Sequence, residues 1–213
     1  MLWNQSNKSA LGVLLAYGGV LRIAFLAFLG AALWSFAAGF RILPLVFGVP
    51  SLLLLWIYRS SGRLVPEAAP ILAAPVDGRI SNIENNEAAG RLIIHFSLHW
   101  RDSRVVRSPV TGPVKAVQPD GTLALADTAG GEVLLAVAPT GARPLKLGPT
   151  AGDEVELGVV IGFCPFGRGV TLVIPEASGF EVIARPGVKA LGGQTIVAVR
   201  RDTRAQNVYL ESS

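Results

Sequence analysis

Hydrophobic and polar positions divide the chain near residue 59. Leu11–Phe40 is almost wholly apolar, broken only by Arg22; Ile42–Tyr58 is apolar again after Arg41, with Pro44 and Pro50 inside it. The uncharged runs Ile23–Phe40, 18 residues, and Ile42–Tyr58, 17 residues, sit at the lower limit for crossing a hydrocarbon core of about 30 Å. This pattern predicts a membrane-inserted helical hairpin over residues 1–59. Its arms either cross the bilayer, with Arg41 snorkelling to the far interface, or dip into one leaflet. Tyr17, Trp34, Trp56 and Tyr58 are either interfacial anchors or packing between the helices. The length of the first run, and the second run behind it, argue against a cleaved signal peptide.

Residues 60–70, SSGRLVPEAAP, form a polar, proline-punctuated linker. Over residues 71–201 the pattern changes to short β runs, with glycine and proline between them every eight to twelve residues. The predicted strands are Arg79–Ile83, Arg91–Phe96, Val114–Val117, Thr122–Ala126, Glu132–Val137, Val155–Phe163, Val170–Pro175, Glu181–Ala184 and Thr195–Arg200. No helix-length periodicity interrupts them, so the expected domain is all-β, a sandwich or barrel. Gly158–Pro175 reads as a hairpin, Val159–Phe163 and Val170–Ile174 around a tight turn at Pro165–Gly169. Two weak internal echoes stand out. Pro75-Val76-Asp77-Gly78 returns as Pro109-Val110-Thr111-Gly112, and Gly152…Leu157-Gly158 returns loosely as Gly187…Leu191-Gly192. Residues 202–213 form a polar tail.

Composition sharpens this division. Of 213 residues, 51% are hydrophobic and 16% charged, and the mean hydropathy is +0.48, too apolar for an ordinary soluble domain. Before Arg59 the charged side chains are only Lys8, Arg22 and Arg41. Net charge is +4, but the basic residues are scattered and not interleaved with aromatics; this points to anionic lipid headgroups and away from nucleic acid. Arg59 and Arg63 directly after the second apolar run place the β domain on the cytoplasmic side. A single cysteine, Cys164, excludes an internal disulfide, and with only His95 and His99 beside it no metal site is expected.

Several phrases, in order, resemble the short bacterial phosphatidylserine decarboxylases. After two apolar segments come Tyr58-Arg59, then Ala74-Pro75-Val76-Asp77-Gly78-Arg79, close to the family's Pro-Ala-Asp-Gly-Arg. Asp102-Ser103-Arg104-Val105-Val106-Arg107-Ser108-Pro109-Val110-Thr111-Gly112 is similar to Asp-Val-His-Val-Asn-Arg-x-Pro-Val-x-Gly. Phe166-Gly167-Arg168 stands where the family has Phe-Gly-Ser. The resemblance implies a fold related to barrel-sandwich domains and an inner (cytoplasmic) membrane location. It also implies membrane phospholipid as partner, together with a second copy of the chain or a lipid-processing enzyme. In that family an Asp-His-Ser set cuts the chain between glycine and serine, and the serine becomes a pyruvoyl cofactor that serves as electron sink for decarboxylation.

Carried over by position, Asp77 matches the aspartate, Arg104 stands at the histidine, Arg168 at the serine, and Gly167 precedes the family's cut. Guanidinium stays protonated, so Arg104 cannot act as a general base, and Arg168 has no hydroxyl to become pyruvoyl. No serine occurs between Ser108 and Ser178. The expectation is therefore an uncleaved chain without cofactor. Cys164 reads as buried and structural, Thr171 as an ordinary strand residue, and His95 as a packed or solvated one. If Asp77, Arg104 and Arg168 converge, Asp77 either pairs with an arginine or the pocket holds an anion on Arg104, Arg168 and His99. Three functions stay open. The first is a non-catalytic decarboxylase homologue that binds anionic phospholipid or a lipid-processing partner. The second is an active decarboxylase with atypical processing, and the third a membrane-tethered barrel-sandwich adaptor in an envelope complex.

Overall fold

The computed structural model describes residues 2–3, 20–57, 71–127, 133–140, 145–164 and 169–200. The linker 60–70 and the tail 202–213 lie outside them. Two helices, α1 (Val20–Ala37) and α2 (Leu43–Ile57), pack together and turn through Gly39, whose φ of +80° favours glycine. Their apolar side chains point all round. Phe25 and Ala32 are buried, while Ile23, Leu33, Trp34, Phe36, Ile42, Leu45 and Leu52 are exposed. Two buried hydroxyls are satisfied inside the helices, Ser35 Oγ on the Ala32 carbonyl at 3.0 Å and Ser51 Oγ on that of Phe47 at 3.1 Å. At about 1.5 Å per residue, α2 is roughly 22 Å long, short of a hydrocarbon core. Among the described residues no helix is long and apolar enough to cross a membrane, so the spanning form of the hairpin finds no support here.

The rest is β. All nine predicted strands are present within a residue or a few of their expected limits, except that Val155–Phe163 is two strands, β10 (Glu154–Val155) and β11 (Val160–Phe163), broken at Gly158. The largest sheet contains β3 (Gly78–Asn86), β4 (Arg91–Ser97), β6 (Gly112–Val117), β7 (Leu123–Asp127), β8 (Val133–Thr140) and β12 (Gly169–Pro175). Strands too short to carry a period complete the architecture: β1 (Leu2–Trp3), β2 (Ile71–Ala73), β5 (Val105–Arg107), β9 (Lys146–Leu147), β13 (Phe180–Val182) and β14 (Lys189–Ala190). Among them β1 pairs in parallel with β10, which ties the chain's start to the β domain. The strands wrap one apolar core that includes Leu72, Ile80, Phe96, Leu125, Ile161 and Leu172, all essentially inaccessible.

One local expectation is overturned. β11 and β12 do not pair as a hairpin. β11 lies between β5 and β9 in a three-stranded sheet, whereas β12 lies between β4 and β8 in the large sheet. The segment 165–168 therefore links two sheets. Both strands are apolar and glycine-flanked, so the local pattern could not distinguish a turn from a crossover.

The weak echoes, by contrast, mark a real internal duplication. Ile80 N–H donates to Val188 O (3.0 Å) and Ile80 O accepts from Gly187 (2.7 Å); Val114, 34 residues on, does the same with Asp153 (2.8 Å) and Gly152 (2.8 Å). Ala74 O accepts from Gly193 (2.8 Å), as Ser108 O does from Gly158 (2.9 Å). The halves also bond across to each other, Ala73 N–H to Pro109 O at 2.9 Å and Arg107 N–H to Pro75 O at 2.7 Å. The paired glycines share their backbone, φ +95° and +84° at Gly152 and Gly187, +77° and +75° at Gly158 and Gly193. Only glycine takes such angles without strain, which is why the echo survives mainly in glycines.

At the closing strand β15 (Ile196–Arg200), Arg200 Nη2 donates to Asp127 Oδ2 at 2.6 Å, and the guanidinium carbon lies 4.6 Å from the centre of the Phe180 ring. Asp127 is 3% exposed. Removing one partner of a buried pair leaves an uncompensated charge. Asp127→Ala is therefore expected to cost about 3–5 kcal/mol in denaturant unfolding in detergent, and Asp127→Leu with Arg200→Met to recover most of it. A loss below about 1 kcal/mol for the single variant would show the pair to be solvated.

Candidate functional site

The crossover is where the sequence places its chemistry, and the structure fixes both its ends. Cys164 N–H donates to Arg104 O at 2.8 Å, which holds the departing strand against the residue before β5. On the far side Gly169 lies between Ser97 of β4 and Thr140 of β8. The buried Cys164 Sγ is 3.9 Å from Gly169 O, so the two ends nearly touch. Gly167 and Arg168 lie outside the described residues.

Asp77 and Arg104 sit on segments that flank this crossover. Gly78 packs so tightly on Ser97, the partner of Gly169, that a Cβ there would fall 2.5 Å from Ser97 O. Pro75 bonds Arg107 as noted, so 75–78 runs beside 104–107. Asp77 is 8% exposed, and its Oδ1 accepts the Gly192 N–H at 2.8 Å. The duplication explains that bond: Thr111 Oγ1 at the equivalent place accepts the Leu157 N–H at 3.0 Å. Two side chains in matched positions clasp the two glycine loops, so Asp77 has structural work independent of any reaction.

Arg107, quoted above only as part of a motif, is a buried link between the halves. It is 5% exposed, its Nη1 donates to Gly158 O at 2.8 Å, and its Cδ lies 3.1 Å from where a Cβ on Gly193 would stand. Nothing in its sequence context marked it as buried, because an arginine after two valines reads as a strand end.

His99 lies elsewhere. It lines an open cleft of about 420 Å³ with Gly78, Arg79, Ser97, Arg101, Asp102 and Lys189. Asp102 Oδ2 accepts the His99 N–H at 2.7 Å and closes that loop. Neither Asp77 nor Arg104 is among the residues that line this cleft. His95 faces the outer surface of the sheet, with Nδ1 3.2 Å from Thr171 Oγ1 on the facing rung and Nε2 3.4 Å from Glu84 Oε1. The second contact has the distance of an ion pair but not the alignment of a hydrogen bond. Among the described residues no group of three or more His, Cys, Asp or Glu could hold a metal ion.

No protein-family model matches the chain. Curated proteins do. It is 29% identical over 171 residues to a phosphatidylserine decarboxylase proenzyme of Symbiobacterium thermophilum, covering 69% of this chain and 79% of that protein. It is 28% identical over 181 residues to the one of Anaplasma phagocytophilum, covering 73% and 79%. It is 29% identical over 198 residues to that of Solibacter usitatus, covering 82% and 92%. These relatives, all named phosphatidylserine decarboxylase proenzymes, support the resemblance to that family. A pyruvoyl group formed from the chain needs a hydroxyl at the crossover, and from Gly158 to Pro175 the one hydroxyl is that of Thr171, on a strand rung beside His95. These residues do not fit that family cofactor.

If Asp77 is a clasp, Asp77→Asn keeps the acceptor and leaves thermal unfolding nearly unchanged. Asp77→Ala costs about 1–3 kcal/mol, and Thr111→Val, at an exposed bond, about 0.5–1.5 kcal/mol. An Asp77→Ala chain as stable as the parent would refute the structural role.

Proposed function

We propose that this chain is a membrane protein of phospholipid metabolism that has kept the decarboxylase scaffold and lost its chemistry. The carrying observation is the residue at the crossover. Arg168 occupies the place of the family's serine, and no serine lies between Ser108 and Ser178. Arg104 at the histidine place is always protonated and cannot take a proton from a nucleophile. Cys164 offers no substitute, because it is buried at 1% exposure, as inert structural cysteines are.

On this reading the helical pair inserts tip-first into the inner (cytoplasmic) membrane and holds the β domain on the cytoplasmic face. Its support is the ring of exposed Trp34, Phe36, Ile42 and Leu45 around Gly39. Arg104, bonded through its carbonyl to the start of the crossover, and Arg168 of the crossover sequence supply guanidinium groups suited to an anionic phospholipid headgroup. A lipid-processing enzyme or a second copy is the protein partner.

The full chain reconstituted with phosphatidylserine is expected to release no CO2 above a protein-free control and to carry no hydroxylamine-sensitive carbonyl. In flotation it should favour phosphatidylglycerol vesicles over neutral ones. Hydroxylamine-sensitive CO2 release would overturn the loss of chemistry, and equal flotation with both vesicles would overturn the anion preference.

A further inference from the structure

The loop between β4 and β5 carries an aromatic side chain that the fold does not bury. Trp100 is 57% exposed, and its ring lies 5.7 Å from that of Trp56, the penultimate residue of α2. The Arg101 guanidinium sits 4.8 Å from the centre of the Trp100 ring. Beside it opens the cleft that holds Arg79, Arg101 and Lys189, with Asp102 as the one carboxylate among its described lining residues and already accepting the His99 N–H. The β domain thus presents an exposed indole and three cations where the base of the helical pair meets it. At the other end of the helices, around the turn at Gly39, Phe36, Phe40, Ile42 and Leu45 are exposed together with the cation Arg41. Some 14 residues of helix at about 1.5 Å each separate Trp56 from that tip, a rise of roughly 20 Å.

We propose that the 97–102 loop is a second, shallow membrane contact, with Trp100 seated at the headgroup level and Arg79, Arg101 and Lys189 facing anionic headgroups. This rests on the reading that the helical pair inserts. Tryptophan suits that level because one end of its ring is apolar and the other donates a hydrogen bond. A cation over its face keeps the charge at the same depth. The contact fixes the orientation of the whole β domain: the cleft opens toward lipid, and the domain cannot swing freely on the 60–70 linker.

The full chain with Trp3, Trp34 and Trp56 replaced by Phe, reconstituted in phosphatidylcholine–phosphatidylglycerol vesicles, reports Trp100 alone. Bromine near the headgroup end of the acyl chains is expected to quench its emission about twofold more than bromine near the methyl end. A chain that keeps only Trp34 should show the reverse order. Arg101→Glu with Lys189→Glu should weaken the Trp100 quenching and leave Trp34 unchanged. Because Trp56→Phe alters the ring pair, the difference between the parent and its Trp100→Phe variant serves as a second readout and should show the same preference for shallow bromine. Unquenched Trp100 with quenched Trp34 overturns the loop contact and leaves the inserted helices standing. Trp100 quenched more from the deep position overturns the assigned level. Loss of quenching at both residues overturns the insertion itself and the loop contact with it.

Discussion

The structure depends on a chain crossing between two sheets. At Cys164 the backbone is bonded to Arg104 on the small sheet, and at Gly169 it is already in register with Ser97 and Thr140 on the large one. The ends are closed by a buried thiol 3.9 Å from a carbonyl. A segment tied at both ends in this way cannot be exchanged for another part of the chain. Between those two anchors the sequence is Pro165, Phe166, Gly167 and Arg168, which includes a permanent cation and no nucleophile.

Around the crossover the domain is built twice. Matched glycines turn the backbone, matched carbonyls receive it, and Asp77 and Thr111 clasp the two loops. Arg107 spans both copies from a buried position. A duplicated frame of this kind gives Asp77 a mechanical task of its own, the one that neutral Thr111 performs in the other half.

Much of this was legible beforehand, and the failures share a cause. Short β runs punctuated by glycine and proline revealed every described strand of four or more residues. The two- and three-residue strands, β5 and β14 among them, are too short to show any period. Partnership was hidden for a different reason: Val159–Phe163 and Val170–Ile174 look alike whether they pair together or with distant strands, because the deciding contacts come from distant residues, such as His95 for Thr171, 76 positions apart. The Asp77–Gly192 clasp spans 115 residues and was invisible locally, although the recurring Pro-x-x-Gly phrase pointed to the duplication that explains it. The buried roles of Arg107 and of the Asp127–Arg200 pair likewise follow from tertiary contacts that no spacing encodes.

The resemblance to the decarboxylases describes the frame, and the proposed loss of chemistry rests on the residues of the crossover. The most direct measurement is the intact mass of the purified full chain, followed by analysis of any new amino terminus. A single species at the full 22.4 kDa is the expected result. Two fragments that part at Gly167–Arg168, the smaller blocked by a ketoacid, would contradict the account.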